Sequence, residues 1–184
     1  MKKNNLIGID LGGTKIEIVI LDVNKEIQFR ERLPTESEKG PSHIINQILV
    51  LYKKALSFIN RGPHTIGVGS PGSLSPKTKL LRNSNTLCLN GLPLQKLIEE
   101  ALQKEIMLEN DANCFALAEA NMGAGQNHDL VFGVIMGTGC GGGFIINNNL
   151  RVGPQQIAGE WGHSVINSNG PQSYCGNNGC VETY

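Results

Sequence analysis

The sequence has no excess of charge of either sign, because 16 Lys and Arg residues balance 16 Asp and Glu residues in a chain of 184. A basic patch is the usual mark of a nucleic-acid-binding protein, so this balance predicts that nucleic acid is not a partner. The sequence also lacks an apolar run near the roughly 20 residues that cross a bilayer, and the run after Met1 is too short for a signal peptide. We therefore expect a cytoplasmic protein with no membrane partner.

Aromatic residues are scarce, at 5% of the chain, whereas glycine is abundant at 23 residues. This composition favours a loop-rich α/β enzyme over a helical bundle, and the length allows one domain or two small ones. The five cysteines are odd in number and widely scattered. This number and spacing indicate a protein of a reducing compartment, whose cysteines are buried or bind metal and do not form disulfides.

A glycine-rich turn, Gly8-Ile-Asp10-Leu-Gly12-Gly13-Thr14-Lys15, lies near the start of the chain between two apolar runs. Alternating β-branched residues predict strands over 6–9 and Lys15–Leu21, joined as a hairpin. Glycine lets a phosphate approach the N–H groups of such a turn, and Asp10 is placed to serve a metal-bound phosphate. The spacing fails the P-loop pattern, which needs a following helix. An ordinary glycine hairpin turn is the alternative.

Strands and helices are predicted to alternate along the next part of the chain. The spacing of apolar residues predicts strands over 26–33, 65–69 and 106–108, and helices over 41–59, 93–104 and 112–122. The pattern then starts again, with a strand over Leu130–Met136, a glycine turn over 137–143 and a strand over 144–146. This repetition predicts a duplicated lobe, with a phosphate-binding hairpin in each half and a cleft between them.

Two Gly-x-Gly-x-x-Gly matches, at 67–72 and 137–142, resemble the dinucleotide-binding fingerprint. That fingerprint needs a helix directly after the glycines. A proline-containing turn follows the first match and a strand is predicted after the second. Both are therefore interpreted as glycine turns.

The segment Glu109-Asn110-Asp111-Ala112-Asn113 lies between a predicted strand and a predicted helix. A carboxylate at the carboxyl end of a strand is well placed to take a proton from a hydroxyl that accepts a phosphoryl group. Asp111 could fill that role while Asn110 holds a neighbouring hydroxyl. A helix N-cap is the alternative for Asp111, and the two roles can coexist.

Two later clusters carry ligand-type side chains. Glu160, Trp161 and His163 could form a loop that reads sugar hydroxyls, or a surface turn with a partly buried indole. Cys175 and Cys180 are joined by a glycine-bearing turn, and with His163 they make three ligands of the kind zinc prefers. A structural zinc normally has four, so two reduced thiols in a loop are the alternative.

Together these motifs resemble the ROK family, the repressor and sugar-kinase group of the actin-like superfamily. The matching segments are Asp10-Leu-Gly-Gly-Thr-Lys15, Ser70-Pro71-Gly72, Glu109-Asn-Asp-Ala-Asn113, Gly137-Thr-Gly139, Gly159-Glu-Trp-Gly-His163 and Cys175-Gly-x-x-Gly-Cys180-x-Glu182. The resemblance implies an α/β fold of the actin-like, ribonuclease H-like type with two lobes. Residues 1–123 would form the N-terminal lobe, and residues 124–184 would begin an incomplete C-terminal lobe that carries the zinc motif. The family's repressors carry a helix-turn-helix before the first strand, and this sequence begins at that strand, as the kinases do.

The resemblance also implies ATP-dependent phosphorylation of a hexose, typically at O6, with Asp111 as the catalytic base. The implied hexose ligands are Gly72, Asn110, Asp111, Glu160, His163 and Glu182. The implied ATP-binding residues are Gly8, Asp10, Gly12, Gly13, Thr14, Lys15, Gly137, Thr138 and Gly139, with magnesium near Asp10. A full-length form is expected to be a homodimer.

Segments 69–76, 83–85 and 89–91 look most like those of bacterial fructokinases of the manno(fructo)kinase type. Fructose, mannose or a related hexose is therefore the expected substrate. Glucose, N-acetylglucosamine and N-acetylmannosamine are the alternative sugars. A non-catalytic or degenerate sugar-binding regulator is the alternative function.

The sequence departs from the family pattern at two places. The family's zinc motif has a cysteine two residues before Cys175, where this chain has Ser173. Because a hydroxyl is a poor zinc ligand beside thiolates, we expect zinc at His163, Cys175 and Cys180 to be weak, held with a water, or absent. Family members also continue beyond the position of Tyr184, in a part that usually supplies adenine contacts and a dimer surface. We therefore expect a fragment or a truncated product.

Overall fold

The computed structural model describes residues 5–137, 139–173 and 175–184. The chain divides into two compact units, Met1–Asp111 and Ala112–Tyr184. Each unit contains its own β-sheet and its own apolar cluster. The lobe boundary expected near residue 123 remains a prediction, and the helix before it packs within the second unit for reasons given below.

The first unit contains a five-stranded sheet with helices between its strands. In chain order its elements are β1 (Asn5–Leu11), β2 (Lys15–Leu21), β3 (Ile27–Pro34), α1 (Pro41–Phe58), β4 (His64–Ser70), β5 (Ser73–Leu74), β6 (Leu81–Arg82), α2 (Leu94–Leu102) and β7 (Met107–Asn110). The sheet order is β3-β2-β1-β4-β7. β1 is antiparallel to β2 and parallel to β4, which is parallel to β7. Strands β5 and β6 form a separate two-stranded hairpin.

The core of the first unit follows from the alternation in its strands. Ile16, Ile18 and Ile20 point to one face of β2 and are completely buried. Ile44 and Ile48, one helical turn apart on α1, are also completely buried in the same apolar cluster. Full burial of such a side chain contributes about 1.5–3 kcal/mol, so these periodic positions explain why this sheet and helix form.

Parallel pairing brings the carboxyl ends of three strands to one edge of this sheet. Asp10 of β1 lies opposite Gly69 of β4, and Ser70 lies opposite Asn110 of β7. Asp10, Asn110 and Asp111 therefore share one edge, which is the usual position for a ligand site in an open α/β sheet.

The second unit is built around a three-stranded antiparallel sheet. Its elements are α3 (Asp111–Met122), whose first residue belongs to the first unit, then β8 (Leu130–Met136), β9 (Cys140–Ile146) and β10 (Asn149–Arg151), and the sheet order is β10-β9-β8. Two single-turn 3-10 helices follow, at Trp161–His163 and Val181–Thr183.

Small residues let α3 lie close to this sheet. A Cβ atom added to Gly133 of β8 would lie 2.7 Å from the Cβ of Ala116, and one added to Gly143 of β9 would lie 2.8 Å from the same atom. Ala116, Ala120 and Ile145 form the buried cluster between helix and sheet. This close packing explains why α3 groups with the second unit.

The predicted elements are largely confirmed, and the bounds of β2 and β8 match the predicted ones. The prediction of a glycine turn over 137–143 is wrong in its second half, because β9 begins at Cys140. Strands β5, β6 and β10 were not predicted. None of the described helices is long and apolar enough to cross a membrane.

Candidate active site

The turn between β1 and β2 is held in place by Thr35, which follows β3. The N–H of Gly12 donates to the carbonyl of Lys15 at 3.0 Å and closes the turn. The hydroxyl of Thr35 donates to the carbonyl of Gly12 at 2.6 Å, and its N–H donates to the carbonyl of Thr14 at 3.0 Å. Thr35 is completely buried. The predicted phosphate-binding turn is therefore fixed by the hydrogen bonds that its carbonyl groups accept from Thr35.

A polar loop lies against Gly13 at the tip of this turn. A Cβ atom on Gly13 would lie 3.6 Å from Oδ1 of Asn85 and 3.7 Å from Oγ1 of Thr86. Asn90 holds the loop together, since its Oδ1 accepts from the N–H of Ser84 and its Nδ2 donates to the carbonyl of Ser84, both at 2.9 Å. Segments 83–85 and 89–91 thus form one loop beside the turn.

Asp10 lies at the sheet edge, two residues before Gly12. Partial burial raises the pKa of Asp10, and the negative charges of Asp111 and Glu17 raise it further, while Lys15 lowers it. A carboxylate at the carboxyl end of a strand is an oxygen ligand of the kind that magnesium takes. Asp10 therefore fits the magnesium that the family resemblance implies.

Gly8 lies in the middle of β1, opposite Val19 and Gly67. A Cβ atom there would lie 3.1 Å from Cγ2 of Val19, so packing already accounts for this glycine. Its predicted role in binding ATP remains a prediction.

Asn110 and Gly72 are linked directly. The side-chain amide of Asn110 donates to the carbonyl of Gly72 at 3.0 Å. Gly72 has a φ of +83°, and a Cβ atom there would lie 2.8 Å from the backbone nitrogen of Ser84. Only glycine suits that backbone conformation and space.

Asp111 is the first residue of α3. A carboxylate is favoured there because backbone N–H groups and the helix dipole concentrate positive potential at a helix N-terminus. The position is therefore compatible with a structural role at the start of the helix as well as with a role as base.

The second predicted phosphate turn connects β8 to β9. The N–H of Gly137 donates to the carbonyl of Gly139 at 2.9 Å. Thr138 lies outside the described residues. A Cβ atom on Gly139 would lie 4.0 Å from Oε2 of Glu182. A predicted phosphate-binding residue and a predicted hexose ligand are therefore neighbours in the second unit.

The segment that carries Glu160 and His163 is fastened to β9 by the tryptophan between them. The indole N–H of Trp161 donates to the carbonyl of Gly141 at 2.7 Å. The indole also meets the ring of Phe132 edge-on, with centroids 6.4 Å apart. Glu160 directly precedes the 3-10 helix and His163 ends it. Half-buried Trp161 thus acts as an anchor, which gives both candidate ligands defined positions.

The structure brings the three predicted metal ligands together. Single ligand atoms of His163, Cys175 and Cys180 lie within 4.8 Å of one another, and the two sulfur atoms are 3.6 Å apart. The pKa of Cys175 is lowered to about 7, first by its contact with the hydroxyl of Ser173, whereas burial raises the pKa of Cys180.

The chain differs from the family's zinc motif at the fourth ligand position, which is Ser173. The Ser173 hydroxyl lies 3.2 Å from Sγ of Cys175 and 2.5 Å from Oε1 of Glu182. Nδ1 of His163 lies 3.5 Å from the same carboxylate oxygen. The hydroxyl is therefore committed to a carboxylate, and the residues present do not complete the four-ligand set of a closed structural zinc site.

Sequence reasoning missed Thr35, the hydrogen bonds by which Asn90 holds its loop together, and the contact between Ser173 and Glu182. Each involves a polar side chain that bonds a segment distant from its own motif, so local spacing carries no signal for it. Only the departure at Ser173 from the family pattern marked that position for attention.

Comparison with known proteins gives a consistent result. A family model described as the ROK family matches residues 6–184. The chain is 36% identical to a glucokinase from Thermotoga maritima, over 99% of this chain and 57% of that protein. It is 35% identical to an N-acetyl-D-glucosamine kinase from Pasteurella multocida, over 96% of this chain and 61% of that protein. The chain thus spans about three-fifths of the length of these relatives.

Solved structures show the same fold. A ROK hexokinase from Thermus thermophilus matches with a TM-score of 0.83 at 31% identity, over 97% of this chain and 59% of that one. A ROK family glucokinase from Streptomyces griseus, in complex with glucose and AMPPNP, matches with a TM-score of 0.79 at 32% identity, over 98% of this chain and 57% of that one. The α/β fold is therefore the actin-like fold of these sugar kinases, and the chain belongs to the ROK family.

Proposed function

We propose that this chain carries the phosphate-binding and catalytic part of an ATP-dependent hexose kinase. The observation that carries this proposal is the shared sheet edge, where Asp10, Asn110 and Asp111 follow parallel strands beside a closed glycine turn. Membership of the ROK family supports the reaction class, since the relatives compared above are named as sugar kinases.

In the first unit, the turn at Gly12, Gly13, Thr14 and Lys15 binds ATP phosphates through the lysine charge and through backbone N–H groups other than that of Gly12, which closes the turn. Asp10 would hold magnesium, which would supply positive charge to the phosphates. The hexose oxygen attacks the γ-phosphorus, the bond to the bridging oxygen of ADP breaks, and Asp111 takes the hydroxyl proton. Asn110 and Gly72 fix the position of the adjoining loop.

In the second unit, the turn at Gly137, Thr138 and Gly139 binds phosphate through backbone N–H groups other than that of Gly137, which donates to the carbonyl of Gly139. Glu160, His163 and Glu182 accept or donate hydrogen bonds to hexose hydroxyls. A carboxylate accepts from two neighbouring hydroxyls, and an imidazole can take either role. This set can therefore distinguish hydroxyl positions on a sugar ring.

The proposed acceptor is O6 of fructose, mannose or a related hexose. The loop at 83–90 beside Gly13, which carries the resemblance to fructokinases, supports this choice. Glucose and N-acetylated hexosamines are the competing substrates, because the named relatives are glucokinases and N-acetylglucosamine kinases. We also propose that a full-length form is a homodimer.

The test is release of ADP by the purified chain, with ATP, magnesium and each of these sugars in turn. We expect turnover with one class of hexose and none with Asp111→Asn. Calorimetry on the same sugars separates the alternatives: hexose binding without ADP release would favour the sugar-binding regulator. Absence of both binding and turnover would contradict the proposal for this chain.

A further inference from the structure

We propose that the hydroxyl of Ser173 holds the Glu182 carboxylate in place by a direct hydrogen bond. We further propose that, with this bond, the loop that carries Cys175 and Cys180 keeps its structure without zinc. The role of Glu182 in hexose binding rests on the proposed function. The metal independence of the loop does not, so the two can be tested separately.

The first argument is burial. Only 4% of Ser173 and 6% of the Glu182 side chain are exposed to solvent. An ionised carboxylate withdrawn from water to this extent needs hydrogen-bond donors. The distance of 2.5 Å from the Ser173 oxygen to Oε1 of Glu182 is in the range of short, charge-assisted O–H···O⁻ bonds. Ser173 is therefore a principal donor to this buried charge.

The second argument is the bonding capacity of a hydroxyl. Ser173 has one hydroxyl hydrogen and two acceptors within reach, Oε1 of Glu182 at 2.5 Å and Sγ of Cys175 at 3.2 Å, and the shorter contact favours donation to the carboxylate. The same oxygen accepts from the N–H of Cys175 at 3.2 Å. A zinc ion at this point would compete with both contacts for a neutral oxygen that is a poor ligand beside thiolates. The observed bonds give Ser173 a complete role without a metal.

The third argument is that other hydrogen bonds already close the loop. The N–H of Ser173 donates to the carbonyl of Asn177 at 2.8 Å, and the N–H of Val181 donates to the carbonyl of Ser164 at 3.1 Å. The thiol of Cys180 donates to the carbonyl of His163 at 3.5 Å. The first bond closes the loop on itself, and the other two join its Cys180 end to the segment that carries His163, which is a connection a structural metal would otherwise supply.

The consequence is a positioning role for Ser173. Its bond occupies Oε1 of Glu182, while Oε2 lies on the side of Gly139. Loss of the bond would let the carboxylate rotate away from this orientation. We therefore expect Ser173 to affect hexose affinity through Glu182, without contact with the hexose.

The experiment compares the wild-type chain with Ser173→Ala, Ser173→Cys and the control Ser168→Ala, an exposed serine in the same unit. Zinc per chain is measured by elemental analysis, and thermal midpoints are measured with and without a chelator. We expect no firmly held zinc in the wild type and no effect of chelator on its midpoint. Ser173→Ala should lower the midpoint by several degrees while Ser168→Ala leaves it unchanged. Ser173→Cys should bind one zinc and become sensitive to chelator.

A double-mutant cycle tests the bond itself. Ser173→Ala and Glu182→Ala should be less than additive in their effect on the midpoint, because each removes the same interaction. Hexose affinity should fall about tenfold or more in Ser173→Ala, as for loss of a hydrogen bond to a charged group. One chelator-resistant zinc in the wild type, or a Ser173→Ala midpoint equal to that of the wild type, would overturn the inference. A wild-type chain that binds no hexose but shows the expected zinc and midpoint pattern would contradict the proposed function only.

Discussion

Asp111 lies where the demands of structure and of chemistry coincide, at the first residue of α3 and directly after Asn110. We expect Asp111→Asn to lower kcat by about 10²–10⁴-fold, since a general base is worth that much in proton transfer. Hexose affinity should be nearly unchanged, because an amide of the same shape still accepts and donates hydrogen bonds. Steady-state kinetics and calorimetry measure the two effects. Turnover within a few-fold of wild type would leave Asp111 only its role in α3.

Asp10 allows a prediction about the pH dependence of stability. Burial and the charges of Asp111 and Glu17 raise its pKa in the folded chain, so the ionised form is disfavoured by folding. The resulting penalty is absent below the unfolded pKa, develops as the pH rises from the unfolded to the folded pKa, and is complete above the folded pKa. Asp10→Asn should therefore raise the free energy of unfolding modestly above the folded pKa but not below the unfolded pKa.

The same variant should weaken binding of the magnesium–nucleotide complex. Denaturation curves at several pH values and nucleotide titrations test the two parts. A gain in stability that does not change with pH would mean that the carboxylate charge is not its source.

At the scale of elements, the same prediction applies to both glycine turns: a bulky side chain should weaken ATP binding. Gly13 and Gly139 have room for a side chain, because the nearest atoms to an added Cβ are 3.6 Å and 4.0 Å away. Gly13→Val or Gly139→Val should therefore preserve the fold but occupy the space that a phosphate needs. We expect ATP affinity to fall at least tenfold in both variants, with little change in hexose affinity in Gly13→Val. In Gly139→Val, whose side chain adjoins the hexose ligand Glu182, ATP affinity should fall more than hexose affinity.

The control for these variants is Gly67→Ala. Gly67 lies within β4, away from the tips of the two turns, and a Cβ atom added there has no other atom within 4 Å. Thermal midpoints confirm that each variant is folded. Unchanged ATP affinity in both valine variants would contradict the assignment of the turns to phosphate binding.

Element prediction succeeded where the pattern was local and failed where tertiary contacts decided. The alternation of Ile16, Ile18 and Ile20 predicted β2 because burial on one face dictates that spacing. The glycine run before Phe144 was predicted as a turn, yet 140–143 is strand, because those glycines accept close contacts with α3 and neighbouring backbone. The candidate site shows the same division: its motifs were visible in sequence, whereas Thr35 and the bond of Ser173 depend on the fold.

At the scale of the whole molecule, the second unit repeats the start of the first. The antiparallel pair β8-β9 repeats β1-β2, as the restart of the sequence pattern predicted, and the unpredicted strand β10 takes the place of β3. In the first unit β1 pairs with β4 on its other side, whereas within the described residues β8 pairs only with β9. The two sheets therefore differ most at the outer edge of β8.

This edge strand carries a row of exposed apolar side chains on one face. Leu130, Phe132, Val134 and Met136 alternate along β8 and are 61%, 39%, 41% and 74% exposed. An apolar edge strand favours association between chains, and a lysine on such an edge opposes it. We expect Val134→Lys to raise the concentration at which the chain stays monodisperse, measured by light scattering. Val23→Lys is the control, because Val23 is 52% exposed in the turn after β2, outside the row. If Val23→Lys raised that concentration equally, the effect would come from the added net charge and not from the β8 edge.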